Sequence, residues 1–527
     1  MFSSYPDKAR GFGAWGLAAT ILIVLAVNLP NATAFFSQDD FAGLNVRASN
    51  LHEFTQFFAP DTQGLRGWYR PLSFDIKFWL MHMAFGFNPL PYHLLPLLIH
   101  CLNILLCYRF LHKLTNRIDL PLAASALYGL CGAHQIALYW VSAGVEPITA
   151  FFYLLGLNTF LSWRNRPTLF RTAGIVVLFI LMLLCKESAV TFPIVLVFTD
   201  IIFPDTSTPR GRATPGKKIV LYTWLFAILI AYLLFWFLKQ YHPGVGEEHG
   251  YGPTLNPLRI IANFFAYLIQ VFTGNAILYA IFQKYSPGEP REFATSLLTS
   301  PVGIIFALVC IAAFVLIVLW IRRRWSGFYP HERRAVGWGF AWFIICLVPV
   351  LPIPGHNTAY YLNIPLIGFS GCLAGLVLGL GHTLPSRIGW RLAGWLLLIL
   401  YAGNFVANTY LGAHITPLAK RSIAGKHAFE QMVSMHPSFE PGTLLFIIDI
   451  DEETRWTLND GLIFKAYYGD QLRWCFTIKT GQDVEWGYLV VHGWDEGGPK
   501  IFYGYDGVRF TPIDENYFRT EYALGAG

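Results

Sequence analysis

Residues 181–192 read Leu181-Met182-Leu183-Leu184-Cys185-Lys186-Glu187-Ser188-Ala189-Val190-Thr191-Phe192. A charged pair in such apolar company is costly, since insertion scales put a Lys or Asp at midspan at roughly 2.5–3.5 kcal/mol and less near the interface. The pair therefore marks a membrane surface: one apolar run, 172 to 185, stops at it, and another, 188 to 204, starts just beyond it. Crossing a hydrocarbon core takes about 20 residues at about 1.5 Å rise each. Outward from the pair, runs of that kind recur at 13 to 29, 90 to 111, 119 to 137, 139 to 162, 219 to 238, 302 to 321, 335 to 353, 358 to 380 and 388 to 412, eleven spans in all.

Composition points the same way. The 527 residues are 54% hydrophobic and 13% charged, against about 25% Asp, Glu, Lys and Arg in soluble chains, which nearly excludes a large soluble enzyme. The net charge of +6 divides by position. Residues 1–419 hold 28 basic and 16 acidic side chains, hence +12, and residues 420–527 hold 10 and 16, hence −6.

Lys and Arg of short loops stay on the cytoplasmic side. Lys8, Arg10, Arg109, Lys113, Arg117, Arg164, Arg166, Arg171, Arg210, Arg212, Lys217, Lys218, Arg322, Arg323, Arg324, Arg333, Arg334, Arg387 and Arg391, 19 of those 28 basic residues, fall on one side of the alternation. They set the N-terminus inside, and an odd number of spans sets the acidic C-terminal part outside. For Arg322 to be inside, the stretch 256–283, with Asn263, Gln270 and Asn275 along it, has to cross twice or not at all, so a broken, re-entrant helix is expected there. The first apolar run follows Lys8 and Arg10 as a secretory signal does, but it is expected to be retained.

The expected fold class is an α-helical polytopic membrane protein of about 11 to 13 transmembrane helices, with a small C-terminal α/β extracytoplasmic domain. The expected domains are residues 1–412, including an outer loop 30–89, and residues 413–527. In the second, a helix to about Met435 precedes strand-like runs at 444–450, 474–478, 488–491 and 501–505, with Asp506-Gly507 as a hairpin turn before 508–512. The eight cysteines show no CxxC or Cys/His ligand spacing, so neither a disulfide framework nor structural zinc is expected. The acids Asp449, Asp451, Glu452 and Glu453 lack the glycine and twelfth-position glutamate of a calcium loop, and no metal is assigned. Without a Walker or GxGxxG fingerprint nucleotide hydrolysis is not expected, and topology accounts for the basic loops without nucleic acid.

Once the loop charges are assigned to orientation, the charges left on the outer face form a short set. Asp39-Asp40 follows the first span, Arg70 lies in the same outer loop among Asp61, Arg66, Trp68 and Tyr69, and Lys186-Glu187 ends another span. Adjacent acids beyond a helix end can serve as a general base or simply be solvated. The Lys–Glu pair can form a structural salt bridge to a neighbouring span, or it can be a phosphate ligand with a carboxylate that holds it.

The ordered set Asp39-Asp40, Trp68-Tyr69-Arg70-Pro71-Leu72, Tyr92-His93 with His100, Ala133-His134, Cys185-Lys186-Glu187 and Tyr360-Tyr361-Leu362-Asn363-Ile364-Pro365 resembles the GT-C membrane glycosyltransferases over most of residues 1–412. It resembles the transmembrane O-mannosyltransferases that carry TPR repeats and, more distantly, protein O-mannosyltransferases and the bacterial aminoarabinose transferases of lipid A. The resemblance implies an inverting transfer of a sugar, mannose or related, from a polyprenyl-phosphate carrier to a protein, lipid or glycan acceptor on the non-cytoplasmic face. It implies Asp39 or Asp40 as base, Arg70 with Lys186 and Glu187 at the donor phosphate, and Tyr69, His93, His134, Tyr360 and Tyr361 as cavity lining. The partners implied are membrane lipids, the lipid-linked donor and the acceptor. No cofactor is assigned, and the location implied is a bacterial inner (plasma) membrane with the C-terminal domain periplasmic or outside.

The chain also departs from that pattern. His134 is followed by Gln135-Ile136-Ala137 where the TPR-bearing relatives have His-Pro and then His-Thr-Glu, no arginine precedes Tyr360-Tyr361, and the tail holds no 34-residue repeats. The alternatives are a lipid-linked sugar transporter or flippase and a noncatalytic assembly protein of the same fold.

Overall fold

The computed structural model describes residues 7–60, 68–204, 213–240, 253–282, 301–353, 357–383, 387–482, 484 and 486–522; Asp61, Arg66, Arg210 and Arg212 lie outside the described residues. The helices, in chain order, are α1 (Asp7–Asn28), α2 (Asp39–Leu44), α3 (Leu51–Gln56), α4 (Lys77–Phe85), α5 (Pro89–Thr115), α6 (Asp119–Gly129), α7 (Gln135–Tyr139), α8 (Val145–Asn165), α9 (Leu169–Leu183) and α10 (Phe192–Ile202). They continue as α11 (Pro215–Phe235), α12 (Pro257–Phe282), α13 (Pro301–Arg324), α14 (Pro330–Leu347), α15 (Pro365–Thr383), α16 (Arg387–His414) and α17 (Pro417–Met435). Proline opens α5, α11, α14 and α17 at a position where its missing N–H costs nothing.

Among the described residues six helices are long and apolar enough to cross a membrane: Gly13–Asn31, Pro89–Thr115, Ser142–Asn165, Pro215–Lys239, Pro257–Ala280 and Leu396–Met435. Leu169–Leu183 and Pro365–Gly381 are apolar but shorter. The predicted spans 139–162 and 358–380 open with 3-10 turns, Ser142–Gly144 and Ala359–Leu362, ahead of α8 and α15, and two others depart further from a single helix. The stretch 119–137 ends its helix at Gly129 and goes on through a 3-10 turn, Gly132–His134, into the five-residue α7. The stretch 188–204 opens with a 3-10 turn, Glu187–Thr191, and leaves only the 11-residue α10.

The stretch 256–283 is broken, as its polar residues lead one to expect. α12 consists of two helical segments joined across a non-helical residue, Gly274 (φ 68°, ψ −179°). At the kink Asn408 of α16 accepts from the amides of Ala276 (3.0 Å) and Ile277 (3.3 Å) and donates to the carbonyl of Thr273 (2.7 Å), while Asn404 donates to that of Phe272 (3.0 Å). Backbone groups freed in an apolar environment need such partners. A Cβ on Gly274 would stand 2.3 Å from the Asn408 amide, so position 274 requires glycine for space as well as for φ.

After α17 the chain forms a four-stranded sheet of order β2-β1-β3-β4, with β1 (Thr443–Ile450), β2 (Leu472–Lys479), β3 (Lys500–Tyr505) and β4 (Phe510–Pro512). β1 is parallel to β2 and β3, and β4 is antiparallel to β3 across the Asp506-Gly507 turn, whose Gly507 has φ 88°. The crossovers carry α18 (Glu452–Leu458), α19 (Leu462–Tyr468) and α20 (Trp486–Val491), and α21 (Glu515–Glu521) ends the described chain. The predicted strand 488–491 is thus part of a helix: a four-residue apolar run has no period of its own, and here it fills the β2–β3 crossover that a parallel pair requires.

This unit packs directly on the outer loop. One core joins Phe36, Phe41, Leu44, Phe74 and Phe78 of the loop to Met432, Leu458, Ile463 and Phe464.

Candidate functional site

Beyond α1 the chain turns at Gln38, which takes φ 53° and ψ −122°, and α2 starts with Asp39 and Asp40 in its first turn. Acids there complement the helix dipole. The two carboxylates separate at once. Asp40, 2% exposed, accepts from the Ser37 amide (3.0 Å), the Ser142 amide (2.7 Å) and the Ser142 hydroxyl (2.5 Å). Burial pushes its carboxyl up to about 7, against the opposing pull of the Ser142 and Ser37 hydrogen bonds and of the Lys77 charge. Lys77 is buried too, donates to the Val141 carbonyl (2.8 Å), and has its ammonium drawn down by burial while Asp40 opposes that shift. Asp40 is therefore a fastening between the outer loop and the start of α8. Asp39, half-buried, lines a cleft instead.

The cleft holds about 410 Å³ of empty space including its open mouth, and Asp39, Arg70, Glu146, Lys186, Trp68 and Trp140 are among its walls, with Phe74, Ser142 and Tyr360. Local geometry explains how residues 70 and 186 meet. The Leu72 amide donates to the Leu184 carbonyl (3.1 Å) and the Ser73 hydroxyl to that of Cys185 (2.6 Å), which straps the turn after Arg70 to the end of α9. Lys186 is extended (φ −164°) and Glu187 opens a 3-10 turn, so their side chains find different partners. Arg70 pairs with Glu187 at 3.2 Å, the two side chains being 19% and 30% exposed. Lys186 pairs with Glu146 of α8, and its ammonium also lies 4.9 Å and 4.5 Å from the ring centres of Tyr360 and Tyr361.

The geometry thus brings Asp39, Arg70, Lys186 and Tyr360 to one cleft. Glu187 adjoins it through Arg70, and Tyr361 through Lys186. Three residues expected as lining stand elsewhere. The Tyr69 hydroxyl donates to the Phe58 carbonyl (3.1 Å) and its ring packs on Phe235. The His93 Nε2 contacts the Ala34 carbonyl (2.9 Å) in a small separate pocket with Asn28, Asn31 and Tyr139. His134 is fully buried between the Asn363 side-chain oxygen (3.1 Å) and the Tyr128 carbonyl (2.9 Å).

Sequence reading missed Glu146, Trp140 and Ser142. Glu146 carried a usable signal: an acid within the predicted span 139–162 needs a counter-charge as much as Lys186 does. Among the described residues no group of three or more His, Cys, Asp or Glu side chains could hold a metal ion.

No protein-family model matches the chain. Over 158 residues it is 32% identical to the protein O-mannosyl-transferase Tmtc1 of Drosophila melanogaster, a match that takes in 29% of this chain and 17% of that protein. The chain resembles GT-C membrane glycosyltransferases. It is an integral membrane protein, and its matched part spans about a sixth of that relative's length. Two solved structures align over most of it. ArnT from Cupriavidus metallidurans bound to undecaprenyl phosphate is 12% identical with a TM-score of 0.44, covering 94% of this chain and 93% of ArnT. The Archaeoglobus fulgidus oligosaccharyltransferase in the apo form is 14% identical with a TM-score of 0.41, covering 88% and 64%.

Proposed function

We propose that the protein is an inverting glycosyltransferase that moves a sugar, mannose or a relative, from a polyprenyl-phosphate carrier to a hydroxyl of a protein, lipid or glycan. One observation carries this reading: a carboxylate, Asp39, and a guanidinium, Arg70, share a cleft walled by Trp68, Phe74, Trp140 and Tyr360. Aromatic faces suit the apolar faces of a sugar ring. The acceptor oxygen attacks the anomeric carbon as Asp39 takes its proton. The bond from that carbon to the phosphate oxygen breaks, the electron pair leaves with the lipid phosphate, and Arg70 meets the departing charge with a planar fork suited to phosphate. Glu187 holds Arg70 in place at rest. Lys186, neutralised by Glu146, shapes the field of the cleft from behind.

Residues 1–412 form the transferase part in this reading, and residues 413–527 an outer domain on the non-cytoplasmic face. The arginine- and lysine-rich loops support that orientation, which corresponds to a bacterial inner membrane with the C-terminal domain in the periplasm. The purified chain is tested with polyprenyl-phosphate sugars and hydroxyl acceptors, comparing wild type with Asp39→Asn, Asp40→Asn and Arg70→Ala. Loss of transfer in Asp39→Asn and Arg70→Ala is the expected result. Undiminished transfer in both refutes the site, and movement of intact lipid-linked sugar between leaflets without transfer favours the flippase.

A further inference from the structure

The turn that delivers Asp39 to the cleft is backbone-strained. Gln38 has a side chain, yet it holds φ 53° and ψ −122°, a region costly for any residue but glycine. Strain of this kind persists only where the surroundings over-determine it. On the membrane side the Ser37 carbonyl accepts from the Trp140 indole (3.1 Å), and the Ser37 amide donates to Asp40. On the other side the Gln38 carbonyl accepts from the Phe41 amide (3.0 Å) and from the side-chain amide of Asn459 (2.7 Å), 421 residues along the chain.

Asn459 stands in an unusual turn of its own. It follows α18, and Asn459, Asp460 and Gly461 are all left-handed in succession, with φ of 47°, 52° and 83°. A Cβ at Gly461 would come within 2.6 Å of Cys475 on β2, so the turn packs tightly against the sheet. Two further hydrogen bonds hold the same face: the Asn45 side chain donates to the Leu462 carbonyl (3.0 Å), and the Ser422 hydroxyl to the Phe35 carbonyl (2.7 Å). The α/β unit thus brackets the turn on both sides of Asp39.

We propose that Asn459 is a positioning residue: through the Gln38 carbonyl it holds the strained turn that aims Asp39 into the cleft, which makes the C-terminal α/β unit a built-in clamp on the transfer site. The catalytic part of this inference rests on the function proposed above, whereas the clamp itself does not.

The experiment uses the full-length chain in lipid nanodiscs, with Asn459→Gly, which accepts the left-handed backbone but removes the donor, and Asn459→Asp, which keeps the shape and puts an acceptor against the carbonyl. Hydrogen exchange by mass spectrometry reads the clamp without any substrate. Amides of 39–44 are expected to exchange about tenfold faster in both variants, with α8 and β1 unchanged. In the transfer assay kcat is expected to fall about tenfold with the donor KM unchanged. Gln38→Gly relieves the strain, so Gln38→Gly combined with Asn459→Gly is expected to regain rate over Asn459→Gly alone; no regain overturns the role of strain. Unchanged exchange at 39–44 overturns the clamp, as does general acceleration across α8 and β1, which would mark Asn459 as a stability residue. A raised donor KM with intact kcat overturns the positioning role. Wild-type chain that transfers nothing from any polyprenyl-phosphate sugar refutes the proposed function, and the exchange result then still decides the clamp.

Discussion

The Lys186–Glu146 pair yields the sharpest prediction. Its two side chains are 3% and 2% exposed, which removes it from the regime of surface ion pairs worth about 0–1 kcal/mol and puts it where breaking a pair strands a buried charge at about 3–5 kcal/mol. In Glu146→Gln the shape is kept and the ammonium is left with the Tyr360 and Tyr361 rings, at 4.9 and 4.5 Å. Each such contact returns about 0.5–2 kcal/mol. A net loss of about 2–4 kcal/mol is expected, measured by reversible SDS-driven unfolding in mixed micelles. Lys186→Met alone is expected to cost less, because the abandoned carboxyl can protonate. The double variant Glu146→Gln, Lys186→Met is expected to return to within about 1 kcal/mol of wild type, since removing both charges removes the desolvation cost. Glu146→Gln within about 0.5 kcal/mol of wild type, or a double variant whose loss equals the sum of the singles, refutes the pairing. The double variant also separates two roles for Lys186. If stability returns and transfer does too, Lys186 is a strut; if stability returns and transfer does not, its charge acts on the donor.

Three other outcomes follow from the same geometry. Asp39→Asn is expected to abolish transfer in the activity assay, whereas Asp40→Asn gives up acceptor capacity at the Ser37 and Ser142 donors and is expected to cost about 1–3 kcal/mol in the unfolding assay. Burial raises the Asp40 carboxyl from 3.8 to about 7, so between those values the folded chain holds a proton that the unfolded chain has lost. Its contribution to stability is complete below pH 3.8 and declines as pH rises towards 7; the unfolding free energy of Asp40→Asn is expected to slope less steeply across that window. Gly274→Ala meets both the left-handed φ and the 2.3 Å approach to Asn408, and a loss of about 2–3 kcal/mol is expected in the unfolding assay.

How far the sequence carried depends on the kind of signal. Apolar runs such as 90–111 and 388–412 read correctly because span length is a property of consecutive residues. Strands β1, β2 and β3 were legible as β-branched and aromatic runs with turn residues between them, and 488–491 was not, because four apolar residues fit a helix turn equally well. Arg70 and Lys186 could be put on one face from topology alone. Which carboxylate each would meet could not, since Glu146 is 40 residues from Lys186 and Glu187 is 117 from Arg70. Likewise Asp39 and Asp40 are indistinguishable as letters, and only the position of Ser142 makes one a fastening. The break in α12 was legible from the polar residues along 256–283, but its partner was not: Asn408, which satisfies the freed backbone, lies more than 130 residues downstream of the break.

The crossed pairs Arg70–Glu187 and Lys186–Glu146 mean that the cleft neutralises its own cations. On the proposed function, a donor phosphate does not drop into a waiting positive socket; it has to displace a carboxylate. Binding is then an exchange of counterions, and its net strength is the difference between two similar attractions. Free inorganic anions gain little from such an exchange, while a ligand that brings a lipid tail and a sugar ring has other contacts to tip the balance. On the same proposal departure is favoured too, because Glu187 is placed to take Arg70 back when the spent carrier leaves.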